Sequence, residues 1–328
     1  MSEVTQVSAV TGAFNYLDET IESSLYRNGK VYLRRDTDGN DRGMHGLKNV
    51  KQSMPVCNAR QRQADKRPTL HGMGFELLHE AVTNQKIDFF DHDQVVKHYY
   101  PHCECIIEGA TGAKAFAFDH NLRWAAAKQA QQRIAGGQHV QEPLKLVHGD
   151  YTLTSAPQRL RDLTKPPGRN DTLRPMLGAD ESLISEELAQ HALSDGGRFA
   201  IINLWRNIDT EPVLSKPLAL CDARSVEPQD LVVFEIHYED RIGENYFAKH
   251  AAGHRWLYYP EMSPNEALLI KQWDSSGPLA QSKGQRSDAS DMSGTSTFSY
   301  HSAFEDPNTP PDAPDRQSIE VRCIVIYD

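Results

Sequence analysis

The sequence of 328 residues predicts a mainly β, α+β protein whose core is a double-stranded β-helix (a cupin-like jelly roll) with flanking N-terminal helices. Short β-rich runs separated by Pro, Gly and Asp turns dominate the second half of the chain, whereas helix-like segments lie in the first half. We expect residues 1–110 to form an arm and helices that pack on a jelly-roll core of residues 111–328. The length is compatible with one structural domain.

Composition excludes several classes of protein. A hydrophobic content of 39% with 24% charged residues is ordinary for a globular protein. The formal net charge of -10, with dispersed Lys and Arg, argues against a nucleic-acid surface. No apolar run approaches the roughly 18 residues of a membrane span, and the N-terminus lacks the pattern of a signal peptide. A cytoplasmic protein is therefore expected, and its five scattered cysteines fit reduced thiols.

Most of the predicted helices lie in the first half. Residues 75–82 are helix-like, Asp91 is suited to cap a second helix that runs to Tyr99, and residues 124–134 form a third before Gly136. Strands are expected at 114–120 and 143–150, and a short helix at 156–163.

Five further strands are predicted in the second half, at 198–205, 218–221, 230–237, 246–250 and 255–259. A helix over residues 267–273 is expected to interrupt them, because Ser263 is placed as its cap, Pro264 at its first position and Glu266 at its third. Residues 275–297 are rich in Ser, Gly, Asp and Gln, which predicts a loop or local disorder and a candidate lid. The last two strands are expected at 297–304 and 318–327.

One predicted strand carries the motif His148-Gly149-Asp150, in which the imidazole and the carboxylate point to the same face. His301 opens the penultimate strand, and distant strands of a jelly roll converge at one mouth. Two imidazoles and one carboxylate are the ligand set of non-haem Fe(II) oxygenases, which leaves three metal positions for a co-substrate and O₂. Gly149 is interpreted as leaving room beside the metal. A structural role for His148 and Asp150 is the alternative.

The start of the last strand offers an anchor for a co-substrate. Arg316 and Ser318 are suited to hold the distal carboxylate of a dicarboxylate, which would be 2-oxoglutarate. Because residues 316, 318, 320 and 322 share a strand face, Arg322 is a competing anchor and Glu320 a partner for either arginine. Tyr151, Arg206 and Lys271 are weaker candidates for contacts with a small-molecule substrate. Pairing with a surface acid is slightly favoured for Arg206, and packing or solvation explains Tyr151 and Lys271 equally well.

Several segments together resemble one family. They are residues 148–152, 203–206, 217–226, 255–259, 269–275, 301–304 and 316–322. The resemblance is to the hydroxylase/desaturase family of the fungal gibberellin desaturase and the aspergillic-acid-type oxidases, and it runs from about Lys114 to the end. It implies Fe(II)- and 2-oxoglutarate-dependent hydroxylation, desaturation or ring formation on secondary metabolites. About 150 residues separate Asp150 from His301, so large inserts within the roll are expected.

Two other classes of function are alternatives. One is a group-transfer enzyme, because a relative of this family is connected with methylation, although no Gly-rich loop joins a strand to a helix to hold a nucleotide-like cofactor. The other is a binding protein that keeps the jelly roll without catalysis. The sequence is compatible with either a monomer or a homodimer.

Overall fold

The computed structural model describes residues 8–35, 41–82, 87–125, 140–168, 171–239, 241–290 and 294–328, which form two β-sheets and several helices. The five-stranded sheet has the order β5 (Phe75–His79), β13 (Glu266–Asp274), β8 (Arg198–Asn207), β15 (Ser318–Tyr327) and β6 (Lys114–Arg123). The ten-stranded sheet has the order β1 (Ala9–Leu17), β4 (Asn49–Asn58), β12 (Trp256–Tyr258), β9 (Leu218–Cys221), β14 (His301–Ala303), β7 (His148–Gly149), β11 (Ile242–Ala248), β10 (Leu231–His237), β2 (Tyr32–Arg35) and β3 (Asp41–His45).

Eight of these strands form the predicted jelly roll. Strands β6, β15, β8 and β13 are antiparallel neighbours in one sheet, and β7, β14, β9 and β12 are antiparallel neighbours in the other. The chain passes between the sheets as it moves through these strands, which is the topology of a double-stranded β-helix. Trp205 and Ile270 of one sheet pack with Leu220 and Leu257 of the other, so part of the core lies between the sheets.

The remaining strands lengthen the same two sheets. The hairpin of β10 and β11 is the insert between β9 and β12, and it joins the ten-stranded sheet next to β7. Strands β1 and β4 extend that sheet beside β12, while β5 extends the other beside β13. Each sheet contains strands from both sides of residue 110. The expected boundary between the N-terminal arm and the core therefore does not separate the two sheets.

The helical region before β6 starts where the sequence predicts and runs further. The Asp91 carboxylate accepts from the Gln94 N–H at 3.2 Å and caps α1 (His92–Gln94), which continues through a π-helical turn (Val95–Tyr99) into α2 (Tyr100–Thr111). Glu104 and Glu108 of α2 accept backbone N–H groups of β6 at 2.8 and 3.1 Å. The helix therefore covers an edge strand whose donors would otherwise lack partners. Two further helices are α3 (Ser155–Asp162), which matches the prediction, and α4 (Glu186–Leu193).

Two predicted helices are wrong, since residues 75–82 contain strand β5 and residues 267–273 lie within strand β13. The capping signal at Ser263 does form a turn, in which the Ser263 N–H donates to Glu266 Oε2 at 2.9 Å. However, β13 is buried along its whole length and pairs with β5 on one side and β8 on the other. Pairing within the sheet overrides the local signal, because a short apolar run fits a buried strand as well as a helix.

Three other segments differ from the prediction in extent or order. The strands expected at 143–150 and 297–304 are reduced to β7 and β14. The described part of residues 275–297 is not disordered: it contains α5 (Pro278–Gln281), and the buried Asp288 accepts from the Thr297 N–H and hydroxyl at 2.6 and 2.7 Å. A lid movement of this segment stays a prediction. The helix expected at 124–134 lies outside the described residues beyond Ala125.

Candidate metal centre

The three predicted metal ligands lie together between the two sheets. His301 of β14 is directly opposite His148 of β7 in the antiparallel register, and the two ring centroids are 4.2 Å apart. Asp150 follows β7, and its Oδ1 lies 3.7 Å from His148 Nε2 and 4.0 Å from His301 Nε2. One ligand atom from each residue lies within 4.8 Å of the others. This spacing suits a single metal ion.

The protonation of these side chains also suits a metal. Burial lowers the pKa of His148 to about 3, helped by the neighbouring His301, and burial lowers the pKa of His301 to about 4. Burial acts to raise the pKa of Asp150, but the charge of Arg322, with contributions from the two neighbouring histidines, outweighs it and holds this pKa well below its usual range. His148 Nδ1 lies 2.8 Å from the Leu146 carbonyl, which directs Nε2 toward the other ligands. Neutral imidazoles and an ionised carboxylate are the forms that bind metals.

Gly149 lies against the aromatic ring of Phe298, which occupies the room that the missing side chain leaves. A Cβ atom at this position would lie 2.9 and 3.0 Å from ring carbons of Phe298. The missing side chain thus makes room for the Phe298 ring at the position between the predicted ligands His148 and Asp150.

We expect Gly149→Ala to destabilise the protein by about 1–3 kcal/mol, the usual cost of overpacking. The buried Phe298 ring must move to relieve the contact. Urea unfolding measures this change. A control is Gly253→Ala, because a Cβ there has no neighbour within 4 Å. Equal stability of the two variants would contradict the contact.

The two candidate anchor arginines have different surroundings. Arg322 Nε donates to Asp150 Oδ2 at 3.0 Å, and Nη1 donates to Asp119 Oδ2 at 2.9 Å, so carboxylates of the protein occupy its donors. Arg316 Nη1 donates to the Lys216 carbonyl at 2.6 Å, whereas its Nε is buried without a hydrogen-bond partner among the described residues. The Ser318 Oγ is buried and unpaired in the same way.

Two of the three substrate candidates make buried contacts within the protein, and a contact of either with substrate stays a prediction. Arg206 donates to the Tyr99 hydroxyl at 3.0 Å and to the carbonyls of Glu80 and Pro264. It is 1% exposed and its partners are buried groups, so the predicted pairing with a surface acid is wrong.

Lys271 forms a buried ion pair with Asp274 at 3.0 Å and donates to the Thr295 hydroxyl at 2.6 Å. The second contact joins Thr295 to β13. Tyr151, directly after Asp150, is only partly buried and stays a candidate for substrate contact.

Two buried amides at the site had no role in the sequence-based prediction. Asn203 Nδ2 donates to Asp150 Oδ2 at 3.0 Å and to Glu320 Oε1 at 2.8 Å. Gln272 Oε1 accepts from the Asp150 N–H at 3.0 Å, from a position where the pairing of β13 with β8 is interrupted by a bulge. Both lie in segments that carry the family resemblance, which is the signal that could have marked them.

A family model and several known proteins are similar to this chain. A family model described as "Oxidoreductase/YMDC permease-like domain" matches residues 14–177 and 178–326. Among the residues with a described structure, no helix is long and apolar enough to cross a membrane.

Several curated proteins are similar to the chain. The alpha-ketoglutarate-dependent dioxygenase phiK of a fungal species is 30% identical over 88% of this chain and 90% of its own length. The hydroxylase/desaturase efuI of Hormonema carpetanum is 25% identical over 100% of this chain and 98% of its own. An uncharacterized protein of Methylophilus leisingeri is 46% identical over 60% of this chain and 89% of its own.

The fold is also that of a solved enzyme. The structure of the iron and alpha-ketoglutarate-dependent endoperoxidase NvfI has a TM-score of 0.71 and covers 97% of this chain and 98% of its own, at 21% identity. The chain therefore belongs to the family of the alpha-ketoglutarate-dependent dioxygenases and hydroxylase/desaturases, as its motifs predict.

Proposed function

We propose that the protein is an Fe(II)- and 2-oxoglutarate-dependent oxygenase that hydroxylates, desaturates or cyclises a small organic molecule. The observation that carries this proposal is the cluster of His148, Asp150 and His301 between the two sheets of the jelly roll. Two imidazoles and one carboxylate hold Fe(II) while leaving three coordination positions open.

The residues present fit the ion. His148 Nε2, His301 Nε2 and Asp150 Oδ1 would hold it, and the hydrogen bond of His148 Nδ1 already selects the correct nitrogen. Bound there, Fe(II) would supply the activation of O₂ that couples oxidative decarboxylation of 2-oxoglutarate to oxidation of the substrate. The burial of all three side chains limits the access of water to this chemistry.

Arg316 and Ser318 are proposed to hold the distal carboxylate of 2-oxoglutarate. Ser318 is the first residue of β15 and shares a strand face with Glu320 and Arg322, and Arg316 lies two residues before the strand. The unpaired Arg316 Nε and Ser318 Oγ are donors that a buried carboxylate would satisfy. Burial, with the nearby Arg123, lowers the pKa of Arg316 to about 9, and an added negative charge would relieve this.

The substrate is proposed to approach from the side of Tyr151. A small surface groove whose lining includes Phe118, Arg159 and Leu163 is a candidate for this approach. Asp119, which follows Phe118 in β6, accepts from Arg322, and this supports a position of the groove near the metal ligands. The lining combines apolar and charged groups, as in sites for small organic molecules.

Anaerobic titration with Fe(II) and 2-oxoglutarate tests the proposed function. An oxygenase of this type should develop a visible metal-to-ligand absorption band, and it should release succinate on exposure to O₂ with a metabolite library. A group-transfer enzyme would give no band, and a binding protein would give no substrate-stimulated succinate. Either result would contradict the proposal.

A further inference from the structure

The two oxygens of the Asp150 carboxylate have different surroundings. Oδ1 faces the Nε2 atoms of His148 and His301 at 3.7 and 4.0 Å. Oδ2 points to the opposite side and accepts from Asn203 Nδ2 and Arg322 Nε, both at 3.0 Å. One oxygen is thus directed at the proposed metal position while the other is occupied by protein donors.

The strand register fixes these donors in place. Arg322 of β15 lies directly opposite Asp119 of β6 on one side and Asn203 of β8 on the other. Its guanidinium donates to Asp119 Oδ2 through Nη1 at 2.9 Å, and Nη2 lies 3.5 Å from Glu320 Oε1. A planar group held by three carboxylates from different positions has little freedom to rotate, so its Nε stays aimed at Asp150.

Asn203 is fixed in the same way. Its Nδ2 donates both to Asp150 and to Glu320, and the side chain is fully buried. The backbone N–H of Asp150 donates to Gln272, which holds the other end of the residue. The carboxylate is therefore restrained at its backbone and at one oxygen before any metal binds.

We propose that Arg322 and Asn203 are positioning residues that keep Asp150 a monodentate metal ligand through Oδ1. This inference rests on the proposed function. A bidentate carboxylate would occupy a fourth coordination position and leave two open, whereas a chelating keto acid and O₂ together need three. Arg322 therefore acts on the metal site through Asp150 and does not bind the co-substrate.

The affinity of the purified protein for Fe(II), measured anaerobically without 2-oxoglutarate, tests this inference. Arg322→Gln is expected to weaken Fe(II) binding about 10- to 100-fold, the usual effect of losing a residue that orients a metal ligand. Arg322→Lys should weaken Fe(II) binding less than Arg322→Gln, because an ammonium can keep one contact with Asp150. Asn203→Ala should weaken binding as well, by a smaller factor than Arg322→Gln. Visible titration with 2-oxoglutarate should show a weaker chelate band in Arg322→Gln even when Fe(II) is saturating.

A matched control is Arg224→Gln. Arg224 forms a two-pronged pair with the buried Asp222 at 2.9 and 2.8 Å, so the control removes a similar ion pair elsewhere. It should bind Fe(II) as the wild type does. Circular dichroism shows whether each variant folds. If Arg322→Gln does not fold, Asn203→Ala and Arg322→Lys test the inference instead.

The outcomes separate this inference from the proposed function. Wild-type Fe(II) affinity in the folded variants, with a raised requirement for 2-oxoglutarate in Arg322→Gln, would overturn the inference and make Arg322 the anchor. Wild-type affinity for both ligands would overturn it as well. If the wild-type protein itself binds no Fe(II), the proposed function has failed first.

Discussion

Replacing His301 with Ala is expected to abolish specific Fe(II) binding and, with it, the formation of succinate. The two imidazoles face each other across adjacent strands, and their Nε2 atoms lie 3.7 and 4.0 Å from Asp150 Oδ1. Removing one of three protein ligands leaves only a two-ligand site. Because loss of an orienting residue alone costs about 10- to 100-fold in metal affinity, loss of a ligand should exceed about 100-fold.

Equilibrium dialysis with Fe(II) under anaerobic conditions measures this loss, and a coupled assay measures succinate. His250→Ala is a suitable control, since His250 follows β11 in the same sheet and contacts Met54 and Tyr16 but none of the metal ligands. The control should keep both iron and turnover. Full turnover in His301→Ala would show that the metal lies elsewhere.

The sequence predicts this centre better than it predicts the strands that carry it. The jelly-roll order is indicated by a His-x-Asp motif, a distal His and a final strand preceded by Arg316. That strand, β15, has the predicted bounds of Ser318 and Tyr327. The register that places His301 opposite His148 joins segments far apart in the chain. Such pairing depends on the whole sheet and leaves no local pattern, and β7 and β14 are only two and three residues long.

The role of Gln272 illustrates what local patterns miss. On the predicted helix, Gln272 and Lys271 would point about 100° apart around the axis. In β13, the bulge lets Gln272 reach the Asp150 N–H while Lys271 pairs with Asp274. The contacts of both residues depend on their position in β13, and this strand is set by pairing with β5 and β8.

Arg316→Ala is expected to raise the concentration of 2-oxoglutarate needed for half-maximal turnover by about 30-fold or more, corresponding to roughly 2 kcal/mol for one lost partner of a buried charge pair. The affinity for Fe(II) alone should stay unchanged, because Arg316 has no contact with His148, Asp150 or His301 in the described structure. Arg316→Lys should need a 2-oxoglutarate concentration between those of the wild type and Arg316→Ala, since an ammonium cannot reproduce a two-pronged contact with a carboxylate. Titration of the visible chelate band measures the affinity directly.

The stability of the unliganded protein distinguishes a ligand anchor from a structural arginine. Arg316 is 4% exposed and forms no ion pair within 4.0 Å among the described residues, so the folded protein bears the cost of burying its charge. We therefore expect Arg316→Ala to leave the free energy of unfolding unchanged or slightly raised, whereas Arg322→Ala should lower it by about 3–5 kcal/mol, because Asp150 and Asp119 lose their partner. Addition of 2-oxoglutarate with Fe(II) should stabilise the wild type more than Arg316→Ala. A steep rise in the 2-oxoglutarate requirement in Arg322→Ala, with none in Arg316→Ala, would reassign the anchor. An anionic ligand that completes the site explains why the protein buries the Arg316 guanidinium without an ion-pair partner. Substitution of Arg316 should therefore cost affinity for 2-oxoglutarate, whereas substitution of Arg322 should cost stability.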